Sequence, residues 1–206
     1  MTDTPNAEKN VPEKPGNAGE LEALAFEGLL AVLHEGPTPP ERRYAAYLLR
    51  KKTLSPLAIP PLIEALSDTD KSVREQATLS LSAIGKAAVG PLADAMKDPK
   101  WETRYRAAEA LGRIADEKAI RPLVQGLKDN RDHVRYMAAK GLKDLGDSDT
   151  IEPLIILLKD ENLYVRMMSV RALGALGGKK AVDALQAALP EETDEKVRAA
   201  IEEALK

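Results

Sequence analysis

The feature that most constrains this chain is the stretch Val134-Arg135-Tyr136-Met137-Ala138-Ala139-Lys140-Gly141-Leu142-Lys143-Asp144-Leu145-Gly146, whose pattern recurs at nearly fixed distance on both sides. The counterparts of Arg135 are Arg74, Arg104, Arg166 and Arg198, so successive arginines stand 30, 31, 31 and 32 residues apart. Counting from Arg135, an alanine lies three residues on, a leucine seven on and Leu145 ten on, which places them on one stripe of a helix. A unit of this length cannot enclose a core alone. It buries its apolar face by stacking on the next unit, so the period predicts a solenoid that forms one cooperative body.

The first half of each unit carries Pro61, Pro91, Pro122 or Pro153, followed by Leu62, Leu92, Leu123 or Leu154 and, one turn later, Leu66, Met96, Leu127 or Leu158. Proline fits the first turn of a helix, where the amides have no intrahelical partner. Asp-containing turns join the two helices, and Gly85, Gly146 and Gly177 stop the second ones, with Ala115 in the glycine position of one unit. Residues 1–19 are polar and rich in Pro, Asn, Glu, Lys and Gly, a composition expected for a disordered tail. The solenoid is expected over residues 20–206: a degenerate pair at 20–52 with a first helix over Leu21–Leu33, a connector at 54–57, and regular repeats at 59–206. The count is six helix pairs.

Only one Trp, five Tyr and one Phe occur, so the core must be built from Ala, Leu, Ile and Val. Thirty basic against 33 acidic residues give a net charge of −3, which argues against strong nonspecific binding to nucleic acid or anionic membranes. With no cysteine there is no disulfide, thiolate metal site or thiol nucleophile. The N-terminus lacks a secretory pattern and no long apolar run occurs, so the expected location is cytoplasmic.

The pattern Pro-Leu-x-x-x-Leu, an Asp-containing turn, Val-Arg-x-x-Ala-x-x-x-Leu and a glycine resembles HEAT repeats of the short, phycobilisome-lyase HEAT-like type. The resemblance implies an all-α, right-handed solenoid of the armadillo type, with second helices lining a concave surface. It leaves function open, since such repeats serve scaffolds, adaptors, bilin lyases, di-iron hydroxylases and DNA glycosylases. It also implies that Asp68, Asp98, Asp129 and Asp160, each six residues before Arg74, Arg104, Arg135 and Arg166, form a structural ladder between repeats.

On a helical wheel, positions −1, +3, +6, +7 and +10 from each arginine form the buried face, and +1, +5 and +8 point away from it. Position +1 carries Arg43, Glu75, Tyr105, Tyr136 and Met167; position +5 carries Tyr47, Leu79, Glu109, Lys140 and Arg171; the flanking position +2 includes Arg106, Met137 and Met168. Tyrosine and arginine are frequent interface anchors and methionine adapts to varied apolar partners. The expected site is therefore a groove for a peptide or protein made by Arg43, Tyr47, Tyr105, Arg106, Tyr136, Met137, Lys140, Met167, Met168 and Arg171, on a chain taken as a monomer. At position +2, packing between repeats is the competing reading, and Trp101 is expected to close the core at its turn.

The enzymatic alternatives have less to stand on. Hydroxylases resembling deoxyhypusine hydroxylase bind two irons through repeated His-Glu pairs near positions +1 and +2, where this chain has Glu75-Gln76, Tyr105-Arg106, Tyr136-Met137 and Met167-Met168. The pair His34-Glu35 ends a first helix, and His133 is the only other histidine. No nucleophile elbow or phosphate loop appears. No catalytic residue, metal or cofactor is expected. The second reading is an accessory or divergent relative of HEAT-like lyases or hydroxylases, and the third a weak nucleic-acid binder using Arg43, Arg50, Lys51, Lys52, Arg106, Arg113, Lys140, Lys143 and Arg171, a surface interrupted by Glu75, Glu109 and Asp144.

Overall fold

The computed structural model describes residues 11–53 and 56–206, helical throughout with no strand among them. Residues 1–10 of the expected tail and Leu54-Ser55 of the connector lie outside the described residues. The helices are α1 (Ala18–Ala23), α2 (Phe26–Glu35), α3 (Pro39–Thr53), α4 (Ile59–Glu64), α5 (Lys71–Ile84), α6 (Val89–Ala95) and α7 (Trp101–Ile114). They continue as α8 (Ile120–Gly126), α9 (Asp132–Leu145), α10 (Ile151–Ile156), α11 (Leu163–Leu176), α12 (Gly178–Ala188) and α13 (Glu195–Ala204).

This is the all-α architecture of a repeat solenoid, in which the short first helices α4, α6, α8 and α10 are each followed by a longer second one, and the last pair, α12 and α13, has 11 and 10 residues. The second helices α5, α7, α9 and α11 each have 14 residues, about 21 Å at 1.5 Å per residue. The first helices are shorter because 3-10 turns precede them at Pro56–Ala58, Gly85–Ala88, Glu117–Ala119 and Ser148–Thr150. Two of these turns start on an aspartate: Asp116 accepts from the amide of Lys118, and Asp147 from that of Asp149.

The first pair departs from expectation. The single helix foreseen over Leu21–Leu33 is two helices, because Leu24 adopts an extended backbone (ψ 144). Gly28 lies close against the Leu24 side chain at this break, where a Cβ would stand 3.1 Å from Leu24 Cδ2. Helical structure begins at Ala18, and the polar segment before it is tied by side chains: Lys14 pairs with Glu22 at 2.7 Å, and Asn17 donates to Glu41 at 2.7 Å. Composition reports how little such a segment can bury, and is silent on these polar ties.

The contacts divide the chain into two compact units, residues 1–110 and 111–206. In the first, α3 packs on α2 and α5, and α4 on α5 and α6. In the second, α9 packs on α8 and α11, α11 on α10, α12 and α13, and α12 on α10. The core positions are those of the helical wheel. Val73, Ala77 and Leu81 on α5 are fully enclosed, as are Val134, Ala138 and Leu142 on α9, and so are Leu62, Leu92, Leu123 and Leu154 of the first helices. Two polar residues in this interior are satisfied: Ser80 Oγ donates to the Ala46 carbonyl at 2.9 Å and Ser169 Oγ to the Leu154 carbonyl at 2.6 Å. Thr103, where other repeats have valine, buries a hydroxyl with no partner.

The second helices end where backbone φ turns positive, at Gly85 (77°), Gly146 (71°) and Gly177 (65°). Ala115 adopts the same hand, at 53°, despite its Cβ.

Candidate functional site

The turn between the helices of each pair is built by one arginine. Its Nη1 donates to the carbonyl six residues earlier: Arg42 to Gly36, Arg74 to Asp68, Arg104 to Asp98, Arg135 to Asp129, Arg166 to Asp160 and Arg198 to Glu192. Arg42, Arg135 and Arg166 also form two hydrogen bonds each with a carboxylate of the next turn. Arg42 grips Asp68 at 2.9 and 3.0 Å, Arg135 grips Asp160 at 2.7 and 2.9 Å, and Arg166 grips Glu192 at 2.8 and 3.0 Å. The same carboxylates accept from the amide two residues on, at Asp70, Asn162 and Asp194.

Burial alone would push the Asp68 and Glu192 carboxyls up, but the arginine and amide donors outweigh it and hold both below their ordinary values. The hydrogen bond to the carboxylate raises Arg42, Arg135 and Arg166 despite their burial. The ladder extends beyond the four aspartates and their arginines to Arg42 and to Glu192, which replaces the aspartate before Arg198. The six-residue offset from Glu192 to Arg198 was the available signal. These side chains are interior and paired, which gives them a structural role.

The surface expected to bind is narrower than foreseen, and the structure corrects it at four residues. Arg106, Met137 and Met168, all at position +2, are buried, as is Tyr47 at position +5. The reason is lateral packing: a second helix has a second helix beside it, and position +2 lies about 90° round the wheel from the core stripe. Arg106 shows what such a position does. It lies over the Tyr105 ring at 5.3 Å and bonds to Glu109 at 2.8 Å and to Glu75 of α5 at 3.3 Å. Tyr47 stacks on Tyr44 with ring centroids 5.8 Å apart, under Arg50 at 5.1 Å. Trp101 meets the Tyr105 ring edge-on at 6.4 Å.

Position +8 also proves to be a contact between second helices. A Cβ on Gly112 would stand 2.7 Å from Gly141 Cα, and one on Gly174 would stand 2.9 Å from Ala204 Cβ. The column that the wheel should have supplied is +9, one turn past +5, where Lys51, Ala83, Arg113, Asp144 and Ala175 are all exposed. Positions +1, +5 and +9 thus define the outward ridge of the second helices within each unit. In residues 1–110 it includes half-buried Arg43 and Tyr105 and exposed Glu75. In residues 111–206 it carries Tyr136, Lys140 and Asp144 on α9 and Met167, Arg171 and Ala175 on α11, with Tyr136, Lys140 and Met167 half-buried and Arg171 exposed.

Two further apolar residues stand out in solvent, Tyr164 at 63% exposure and Ile156 at 67%, the latter in the lining of a cleft with Val124, Leu127, Pro153 and Ile155. The sequence carried no signal for them, since both fall at the edges of helices. Among the described residues no group of three or more His, Asp or Glu is arranged to hold a metal. His34 lies 3.5 Å from Glu64, and His133 Nδ1 lies 2.7 Å from Asp132. No helix among the described residues is long and apolar enough to cross a membrane.

Stacked helix pairs with an arginine-hooked turn and a lateral seam of small residues define an α-solenoid repeat protein. The HEAT-repeat family model matches residues 26–92, 85–135 and 120–206, and the chain belongs to that family. No curated protein matches it. Among solved structures, the complex of CpcE and CpcF of phycocyanin lyase from Nostoc sp. PCC7120 is similar at TM-score 0.68 and 24% identity, over 74% of this chain and 100% of that one. A designed armadillo repeat protein in complex with peptide (KR)4 is similar at TM-score 0.57 and 20% identity, over 89% of this chain and 100% of that one. Human deoxyhypusine hydroxylase in complex with glycerol is similar at TM-score 0.51 and 23% identity, over 95% of this chain and 91% of that one. At these identities the likeness is one of fold.

Proposed function

We propose that this chain is a non-enzymatic scaffold or adaptor that holds a peptide or protein partner on the outward ridge of its second helices. The observation that carries this reading is the position of Tyr136 and Met167. They occupy the same place on two neighbouring helices and keep part of their surface in solvent, while Met137 and Met168 beside them are buried. A ridge carried on packed helices loses little conformational freedom on binding, so its apolar contacts are not offset by ordering costs. The similar folds support the reading, since one holds a peptide and another is a complex of two proteins.

Affinity capture from native lysate with the wild-type chain and with the Tyr105→Ala, Tyr136→Ala, Met167→Ala variant tests it. A partner retained by the first and lost by the second, at unchanged helicity, is the expected result. Equal capture by both excludes the ridge.

A further inference from the structure

We infer that the ridge of residues 111–206 takes an extended acidic segment of its partner, with one carboxylate seated on Arg171; this rests on the ridge being the binding surface. Arg171 is exposed on α11, one turn beyond Met167, and no carboxylate of the described residues pairs with it. The rest of the α11 ridge, Met167 and Ala175, brings no acid to it. On α9, Lys140 and Lys143 share one carboxylate, Asp144, at 3.2 and 3.5 Å. On α13 the ridge positions are Ala199 and Glu203, and Glu203 is engaged by Lys206 at 2.7 Å. Glu202 lies at position +4, on the flank of α13 turned from α11. On α9 and α11 the ridge therefore presents two cations, Lys140 and Arg171, against one anion, Asp144, with its uncompensated charge at Arg171.

A guanidinium offers a carboxylate two parallel hydrogen bonds, which a neutral or basic segment cannot use. Lys140 and Arg171 occupy equivalent places on adjacent helices, so they stand about one interhelical spacing apart, roughly 8–10 Å. In an extended polyproline II segment side chains return to the same face every third residue, and three residues span about 9 Å. Acidic residues at i and i+3 thus reach Lys140 and Arg171 in turn, and an apolar residue between them falls on Tyr136 and Met167.

The test is fluorescence anisotropy with two labelled peptides, one of (Glu-Leu-Gly) repeats and one of (Lys-Leu-Gly) repeats, with helicity of each variant followed by circular dichroism. The glutamate peptide is expected to bind, to bind less well at high salt, and to lose about tenfold or more in affinity on Arg171→Glu, with partial retention on Arg171→Lys. Tyr136→Ala with Met167→Ala should weaken it as well. No binding of the glutamate peptide, indifference to Arg171→Glu, or tighter binding of the lysine peptide overturns the acidic assignment. If the lysine peptide binds and the Tyr136, Met167 variant loses it, the ridge survives as the site and only its charge preference is wrong. Binding that ignores the Tyr136, Met167 variant overturns the ridge itself.

Discussion

At the scale of single residues, Thr103 separates what a repeat requires from what this chain contains. Its position holds Val73, Val134, Val165 and Val197 in other repeats, all buried, and threonine has nearly the same shape. The difference is a hydroxyl in the interior without a hydrogen-bond partner, a group whose desolvation costs about 1–3 kcal/mol. Thr103→Val should raise stability by about 1 kcal/mol or more, read as a higher urea midpoint at unchanged slope. The comparison of repeats makes the substitution legible in sequence, but its cost is not. Ser169, equally out of pattern, finds the Leu154 carbonyl, and only coordinates tell the two apart.

At the scale of elements, two interactions set how one helix meets the next. The Arg135–Asp160 pair is largely enclosed, at 10% and 6% side-chain exposure, and bidentate. Asp160→Asn leaves the guanidinium with only the solvent-exposed Glu161, at 3.4 Å, as counter-charge, and stability should fall by about 2–4 kcal/mol in denaturant unfolding. Neutralising Glu191, which pairs with Lys159 in solvent, should change it by less than about 1 kcal/mol. Gly112 and Gly141 meet backbone to backbone, so the methyl of Gly112→Ala has no flexible neighbour to displace. Alanine gains about 1 kcal/mol of helix propensity over glycine. Gly112→Ala should nevertheless lower the melting temperature, because the two helices must separate to admit it.

The same elements show what a sequence can and cannot say about the ridge. A wheel drawn for one helix locates the core stripe, and Val134, Ala138 and Leu142 lie where it puts them. It treats the remaining surface as free, whereas in a stack both flanks are covered. The packing reading therefore prevails at position +2, position +8 is a lateral contact as well, and the open column is +9.

At the scale of the whole molecule, acidity should act through the ladder. Asp68 and Glu192 have folded-state values below their ordinary 3.8 and 4.5. A depressed carboxylate adds stability that is complete above its unfolded value and is lost as pH falls through its folded one. Urea midpoints should hold steady near neutrality and fall once pH drops below about 4.5. Asp68→Asn should remove part of that dependence. The order of helices, their pairing and most of the interior were legible because a repeating unit states them five times over. The break at Leu24 was not, because the first pair has no copy to compare with. One feature of the turns bears on how such a chain changes over generations. Arginines lie 30 to 32 residues apart, yet each hooks a carbonyl exactly six positions back in its own turn. Length can therefore drift only elsewhere in the unit, and inserted or deleted residues are tolerated beyond the glycine stops but not inside the hairpin.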